Sequence, residues 1–510
     1  MKKSILTLFL TLAVFCAFAT GCGTMNRGGL TAPRESISQQ QPVAPQGEKS
    51  AYETTTTPVH SINATVDTAQ SDDVASSAAS NAMQQNDRIM TAPLPEIDKN
   101  ITAVLTITGM NPDSFDDVIH LFNSKFPNVT VEKDAIQLTD PNVGNAAAEL
   151  HTKLNTKILS GQAGDIILFS NSISLFKQGV LADLHEFIYN DLQFTTDDYF
   201  MNVIEAYSYN GKLYVMPLNN YVKMIGFSAS LTDDYSFTDK SDSWELMQAI
   251  SEGKNIADRN GLKGKNYVYP TPDYHLLSRM MLPINYNKFV NLETGKVNID
   301  SAEFIDMLKY VKELADSGYI SSSERTYNLP EGAPILSPFD TGLMLFYFMT
   351  NEPDCINFKP LTGKNGLLNI SGSTPLAINA QSANKQLAWE FIKCALSFEA
   401  QSSPNRRIYP PINRTALNVY AEQRYSTMKD SQLNNGINKE TDFKPDKVEV
   451  IRQYIEHFFA LNEMVTTYTF TDFDIDGIIF EQVIEYFEGK ISAEETAQIL
   501  QRKISMVIEG

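Results

Sequence analysis

Apolar residues recur at strand and helix spacings from residue 101 onward. The β-branched run 101–107 predicts a buried strand, and apolar residues at helical spacing predict a helix over 115–122. A second strand is predicted at 129–131, a second helix at 146–159 and a short apolar strand at 166–169. This βαβαβ order predicts a parallel sheet covered by helices, and thus an α/β fold class.

Amphipathic helices dominate the rest of the chain. They are predicted at 243–250, 301–314, 384–398 and 493–508. The strands predicted between them are short. The alternation of the two element types therefore continues to the end of the chain.

The beginning of the chain has the order of an export signal. A lysine pair precedes an uncharged apolar run, 5–18, and small residues lead to Cys22. The stretch resembles a bacterial lipoprotein signal, although Ala19 stands where that motif usually has a larger aliphatic residue. The resemblance implies a signal peptide over 1–21, a palmitate-type lipid on Cys22 and a place at the extracytoplasmic face of the cell membrane. An uncleaved membrane anchor is the alternative.

Composition bears on the segment after the signal, on the class of partner and on the use of disulfides or metals. Residues 22–98 are rich in Ser, Thr, Ala, Gln, Asn and Pro without a sustained apolar period, which predicts the lipidated cysteine followed by a disordered tether. The 41 basic against 61 acidic residues give a net charge of −20, which argues against a nucleic-acid partner. Four cysteines and six scattered histidines predict neither a disulfide scaffold nor a metal cluster, so we expect no metal and no cofactor.

Five stretches together resemble one protein family. The most recognisable, 153–184, combines a helix, a small-residue turn, an aspartate that opens a strand and a Leu-x-Asp-Leu ending. The others are 210–217 (NGKLYVMP), 243–246 (SWEL), 376–401 and 478–509. In this order they resemble family 1 extracellular solute-binding proteins of ABC importers.

The resemblance implies a type II, periplasmic-binding-protein-like clamshell. Each lobe would be a mainly parallel sheet flanked by helices, and three crossovers would join the lobes near 216–218, 371–374 and 409–412. The implied lobes are 99–216 with 374–409, and 217–373 with 410–510. A ligand would lie between them at the strand ends.

Candidate ligand-binding residues follow strand ends and crossovers. They are Phe169, Ser170, Asn171, Ser172, Asn219, Asn220, Tyr221, Tyr347, Thr350, Ser371, Ser373 and Tyr409. Amides and hydroxyls both donate and accept hydrogen bonds, as sugar hydroxyls require, and the aromatic rings could stack on a sugar face. The alternatives are local turn bonds for Ser and Asn, core packing for Phe169 and Tyr347, and a pure hinge role for the serines of the second crossover.

Two features bear on the ligand. The only two tryptophans, Trp244 and Trp389, match structural positions of the family, so a Trp platform for sugar is not expected. A strongly anionic ligand would need a cation such as Lys223 or Arg279, and solvated surface is the competing interpretation of both.

An acidic motif near the C-terminus gives half of a calcium signature. Asp472, Asp474, Asp476 and Gly477 match the first half of an EF-hand loop, but position twelve is Val483. The pattern therefore predicts an acidic loop before a helix that starts near residue 478. The carboxylates would stabilise the N-terminus of this helix.

The resemblance thus predicts a monomeric binding lipoprotein. It would capture a small solute, with a sugar or oligosaccharide as the first choice, and deliver it to the transmembrane subunits of an ABC permease. The resemblance also implies that the protein is not an enzyme. The chain has no Walker A, His-Glu-x-x-His, Gly-x-Ser-x-Gly or Cys-x-x-Cys motif, although a glycosidase would need only two suitably spaced carboxylates. A cell-surface glycan hydrolase and a ligand sensor or adhesin without transport remain the alternatives.

Overall fold

The structure is a computed structural model in which one compact unit, Ala92–Gly510, contains all the residues described below. The described residues are 92–138, 146–169, 172–228, 244–259, 261, 268–321, 336–341, 356–362, 368, 370–372, 375–403, 409–434 and 447–509. Within this part of the chain, no helix is long and apolar enough to cross a membrane.

Strands and helices alternate over the described residues. The strands are β1 Ala103–Gly109, β2 Val129–Ala135, β3 Ile166–Leu168, β4 Tyr221–Ser228, β5 Trp244–Glu245, β6 Tyr269–Pro272, β7 Val290–Asn291, β8 Lys296–Val297, β9 Ile320–Ser321, β10 Leu336–Asp340, β11 Ile356–Thr362, β12 Ile370–Ser371 and β13 Leu376–Ile378. The helices are α1 Asp116–Lys125, α2 Ala146–Leu159, α3 Ser174–Lys177, α4 His185–Ile188, α5 Met201–Ala206, α6 Leu246–Arg259, α7 Asp273–His275, α8 Leu282–Phe289, α9 Ala302–Asp316, α10 Lys385–Leu396, α11 Phe398–Gln401, α12 Arg414–Asn434, α13 Lys447–Glu463, α14 Phe473–Phe487 and α15 Ala493–Glu509. A π-helical turn, Leu276–Met281, joins α7 to α8, and short 3-10 turns lie at Pro112–Phe115 and Thr196–Asp198.

The first sheet has the strand order β13-β3-β1-β2. β1 runs parallel to β2 and to β3, as the βαβαβ pattern predicts, and β13 returns antiparallel to β3. Helices α1 and α10 pack together beside the sheet, with the rings of Phe122 and Phe391 5.5 Å apart. On α10, Trp389 is fully buried and its Nε1 donates to Asp191 at 2.8 Å, which agrees with a structural role for this tryptophan.

The second sheet has the strand order β10-β4-β11-β5, and β12 also pairs with β4. Among its described strands, β10, β11 and β12 all run antiparallel to β4, and β5 runs parallel to β11. The expectation of a mainly parallel sheet in each lobe therefore fails here, because β4 receives its neighbours from segments that return along the chain rather than from βαβ units.

Predicted helix positions agree well, with two corrections at helix starts. The described residues of α2 coincide with the helix predicted at 146–159. The helix predicted at 243–250 spans Leu246–Arg259 instead, and it begins later because Trp244 and Glu245 pair with β11. Helix α14 begins at Phe473 rather than near residue 478. Asp472 caps it, since its Oδ1 accepts from the N–H groups of Asp474 (3.1 Å) and Ile475 (3.4 Å).

Helix α12 packs against α11, and helix α13 packs against α5. Both α5 and α11 precede the predicted lobe boundary at 410. The guanidinium of Arg414 lies 4.3 Å from the ring centroid of Phe200, and its Nε donates to the Tyr199 carbonyl at 3.0 Å. The Nδ2 of Asn202 donates to the Asn462 carbonyl at 2.6 Å. After α13 the chain continues to α14, which packs with α15, and α15 packs on α9.

Candidate functional site

Three stretches of backbone meet where the chain passes between the two sheets. The N–H of Met216 donates to Leu376 O at 2.7 Å, and the N–H of Leu376 returns a bond at 3.0 Å. Just beyond, β4 pairs with β12, and the N–H of Asn220 donates to Pro410 O at 3.1 Å. Each of the three predicted crossovers thus contributes residues to one array, which we call the crossing array.

An aromatic pair lies on the crossing array. The rings of Tyr221 and Tyr409 stack with centroids 5.0 Å apart and an interplanar angle of 19°. Both tyrosines are half-buried, and the Nζ of Lys223 lies 5.0 Å from the Tyr221 ring centroid. Ser371 pairs directly with Tyr221 across the β12–β4 register. Tyr221, Tyr409 and Ser371 are therefore brought together, and the two rings form a platform on which a flat apolar face could stack.

Asn220 is anchored within the array. Its side chain is fully buried, and its Nδ2 donates to Asn462 Oδ1 at 2.7 Å. Its Oδ1 is buried and accepts no hydrogen bond from any described residue. Asn219 is half-buried beside it and forms a bridge with Pro411. The structure thus places both amides at the crossing, with Asn220 facing inward.

Gly372 allows the second crossing segment to approach the first. A Cβ at this position would lie 2.8 Å from Asn219 O and 2.8 Å from the Tyr207 hydroxyl. Tyr207 is buried and stacks on Tyr468 with centroids 4.0 Å apart, and burial raises its pKa well above 10. Any side chain at Gly372 would separate segments that hydrogen-bond here.

The residues after β3 face inward in this conformation. Phe169 is 2% exposed and stacks on Phe176 at 5.2 Å, so core packing describes it and no face of its ring is open to a ligand. Ser172 is also buried, accepts from Asn155 Nδ2 at 2.9 Å and lies 3.2 Å from the Ser174 hydroxyl. The Phe169 N–H donates to the Pro375 carbonyl at 2.9 Å, so its backbone bonds to the segment after the second crossover while its ring packs inward.

Other predicted residues lie outside the described part of the chain. These are Ser170, Asn171, Tyr347, Thr350, Ser373 and the lipidation residue Cys22. Cys355 lies outside it as well. Cys394 is buried, and its burial raises the pKa of the thiol.

Helix α2, which belongs to the first sheet, contacts helix α14 near the C-terminus. The sequence does not predict this contact. The rings of His151 and Phe473 stack with centroids 3.6 Å apart and an angle of 10°. Beside them, the N–H of Ile173, just after β3, donates to Asp472 Oδ2 at 3.2 Å in a buried position. The capping carboxylate of α14 therefore also binds the segment that follows β3.

Ionisable groups at this contact have shifted pKa values. Burial lowers the pKa of His151 to about 4, so its imidazole is neutral at pH 7. Burial, together with the charge of Asp472, raises the pKa of Asp476 to about 7, against hydrogen bonds from Thr471 and Tyr286 that lower it. Burial also raises the pKa of Asp472. Asp472 and Asp476 thus belong to a partly desolvated helix start rather than to a solvated loop.

Sequence signals for this contact are weak. An aspartate directly before an aromatic residue is an N-cap pattern, so Asp472 could have placed the start of α14 correctly. No local pattern marks His151, which looks like any polar residue on the exposed face of α2. Its partner lies more than 300 positions away along the chain.

A groove with a volume of about 820 Å³ lies elsewhere on the molecule. It runs beside the segment 94–99, α10 and the loop 191–198. The tyrosine pair, the asparagines and the serine of the crossing array are not among its lining residues. The groove is therefore separate from the crossing array.

Two sheets, joined by a crossing array with a half-exposed aromatic pair, define a two-lobed α/β binding protein of the type II periplasmic-binding class. Residues 122–418, more than half of the chain, match the family described as bacterial extracellular solute-binding protein. The chain belongs to this family, which is one of binding proteins, and its place is therefore extracytoplasmic.

Solved structures that are similar to the chain share little sequence with it. A chitin oligosaccharide binding protein is 14% identical, with 81% of this chain and 100% of that chain covered and a TM-score of 0.51. A de novo designed esterase is 15% identical, with 80% and 99% covered and a TM-score of 0.51. An ABC substrate-binding protein of Listeria monocytogenes, solved in complex with cycloalternan, is 15% identical, with 80% and 100% covered and a TM-score of 0.49.

Proposed function

We propose that the protein is the substrate-capturing lipoprotein of an ABC importer. It binds a sugar or oligosaccharide between its two lobes and presents the loaded form to a membrane permease. It acts as a monomer, anchored through a lipid on Cys22. Lobe closure is the useful event, because contacts that the solute makes with both lobes stabilise the closed state.

The tyrosine pair of the crossing array carries this proposal. Tyr221 and Tyr409 offer a stacked aromatic platform at the junction of the lobes, where a solute contacts both sides. Stacking on the apolar face of a pyranose suits such a platform, and the neighbouring Ser371 and Asn219 supply hydroxyl and amide groups for sugar hydroxyls. The solute class is also the one that the chitin oligosaccharide binding protein of similar fold takes.

The remaining predicted residues complete the proposed site. Ser170, Asn171, Tyr347, Thr350 and Ser373 are proposed to contribute polar and aromatic groups from strand ends and from the second crossover. The lobe boundaries near 216, 374 and 410 are proposals of the same standing. The lysine-led apolar start and Cys22 support the anchor.

A thermal-shift screen of the full chain in mild detergent tests the proposal. The panel contains chitotriose, maltotriose, trigalacturonate, tagatose, amino acids and dipeptides. Each sugar is recovered afterwards, and its mass is measured by mass spectrometry. Binding to the native state alone raises the midpoint with concentration. A rise with a carbohydrate recovered intact supports a binding protein. A rise only with amino acids or dipeptides, or recovery of cleaved sugar, overturns the proposal.

The anchor and the partner need separate tests. Metabolic labelling with palmitate should mark the wild type and leave Cys22→Ala unlabelled. Equal labelling of the two proteins would contradict lipidation at this cysteine. Uptake of the bound sugar should be lost when either the receptor or the permease is deleted, and uptake that persists without the permease would contradict import.

A further inference from the structure

The contact between α2 and α14 lies on the side of the first sheet where ligands bind. Helix α2 leads from β2 to β3, so its first turns lie at the carboxyl ends of the parallel strands. Ser172 and Ile173 follow β3 at the same edge. In open α/β sheets, ligands bind in the crevice outside this edge. His151, in the second turn of α2, therefore stands beside the crevice.

Two polar atoms at this edge have no hydrogen-bond partner among the described residues. His151 Nδ1 and Asn155 Oδ1 are both buried and make no hydrogen bond with any residue that the structure describes. The residues are one helical turn apart, on the same face of α2. Asn155 Nδ2 donates to Ser172 Oγ at 2.9 Å, which fixes the amide. Leaving buried acceptors unpaired is unfavourable, so a group that satisfies them would bind with a gain in free energy.

Phe473 covers one face of the His151 ring. Its ring lies on the His151 imidazole at 3.6 Å, and the adjacent Asp472 holds α14 in place through the Ile173 N–H at 3.2 Å. A phenyl ring has no hydrogen-bonding group. Phe473 therefore covers the imidazole without offering a hydrogen-bond partner to His151 Nδ1.

We propose that His151 and Asn155 form a subsite for solute hydroxyl groups, and that Phe473 covers this subsite until solute enters. The inference rests on the proposed function. A hydroxyl both donates and accepts, so it can pair with a ring nitrogen and with an amide oxygen at once. The flat face of a sugar ring would take the place of the phenyl ring on the imidazole. Because burial keeps His151 neutral, its ring can accept a hydrogen bond at pH 7.

Three variants of the full chain test the subsite by calorimetric titration with chitotriose, maltotriose and trigalacturonate. His151→Phe keeps an aromatic ring for the stack and removes both ring nitrogens, so it should weaken sugar binding roughly fivefold. Phe473→Leu removes the aromatic cover at nearly constant volume and should tighten binding severalfold. His120→Phe makes the same change on the exposed face of α1 and is the matched control, with wild-type affinity expected. Circular dichroism spectra and thermal unfolding midpoints check that each variant is folded. If Phe473→Leu is unfolded, Phe473→Ala takes its place.

The outcomes separate the subsite from the function. Weaker binding by His151→Phe with unchanged His120→Phe supports the subsite, as does sugar binding that appears only in Phe473→Leu. If the wild type binds a sugar and His151→Phe binds it equally well, the subsite is overturned while the binding function stands. If no protein binds any of the three sugars, the carbohydrate proposal fails and the subsite fails with it.

Discussion

At the scale of single residues, burial shifts the pKa values of two ionisable groups, one in the contact between α2 and α14 and one in the first turn of α14. His151 has a pKa lowered to about 4 and Asp476 a pKa raised to about 7, and burial is the main cause of both shifts. Each group is therefore held uncharged, His151 above pH 4 and Asp476 below pH 7. The acidic residues at the start of α14 are visible in the sequence. Their burial is not, because it depends on segments that are distant along the chain.

Asp476→Asn should stabilise the protein at high pH. Because the pKa of Asp476 rises on folding, the unfolded chain loses this proton from about pH 4 while the folded protein keeps it to about pH 7. Stability is thus full at low pH and falls as the pH rises through this window. The amide avoids that loss, so urea unfolding at pH 8 should show a gain of up to roughly 4 kcal/mol, and little change at pH 4.

Asp474→Asn is the control for this prediction. Asp474 is exposed and lies two residues earlier on the same helix. Its substitution should change stability by only a few tenths of a kcal/mol, about the size of a surface helix-dipole effect. A gain at pH 8 that is equal in the two variants, or a gain in Asp476→Asn that does not depend on pH, would rule out the burial argument.

At the scale of elements, periodicity predicts the first sheet and most helices, whereas local chemistry decides where helices begin. Helix α2 matches its prediction because its apolar face coincides with its full length. The predicted start of α14 is wrong, since the apolar run from Ile478 marks only the buried face while the cap lies earlier, at Asp472. Strand direction in the second sheet depends on pairings between distant segments, which a single sequence does not display.

Asp472→Ala should cost more than the loss of an ordinary helix cap. It removes the cap of α14, about 1 kcal/mol, and leaves the buried Ile173 N–H without its acceptor, a further 1–3 kcal/mol or so. Ser301→Ala is the matched control, because Ser301 caps α9 and its hydroxyl binds only within that helix start among the described residues. Urea unfolding should show a loss roughly two to four times that of the control. Equal losses would mean that the bond to Ile173 contributes nothing.

Gly372→Ala should disturb the crossing array. The new methyl group would meet the Asn219 carbonyl and the Tyr207 hydroxyl at 2.8 Å, and a backbone atom cannot rotate away. A loss of roughly 1–3 kcal/mol in urea unfolding is expected. Gly477→Ala, on α14, has no atom within 4 Å of the added methyl group and should be neutral or slightly stabilising. A Gly372→Ala protein as stable as the wild type would show that the crossing segments can separate freely.

At the scale of the whole molecule, the ordered motifs predict the fold class, and the three crossover segments indeed meet. The site is only partly predictable. Tyr221 and Tyr409 are candidates because each lies beside a crossover. Their rings stack in the structure, although the two residues are 188 positions apart in the sequence. Phe169 is a candidate because it follows a strand, yet it is packed in the core, since strand ends supply core side chains as readily as ligand contacts.

The most direct test of solute capture is calorimetric titration of the full chain with the carbohydrate that gives the largest thermal shift, comparing the wild type with Tyr221→Ala/Tyr409→Ala. We predict saturable binding of one sugar per chain and at least roughly a tenfold loss in the double variant, since two aromatic contacts of about 1 kcal/mol each are removed. A double variant that binds as tightly as the wild type, or a wild type that binds no carbohydrate, would contradict solute capture on the tyrosine pair.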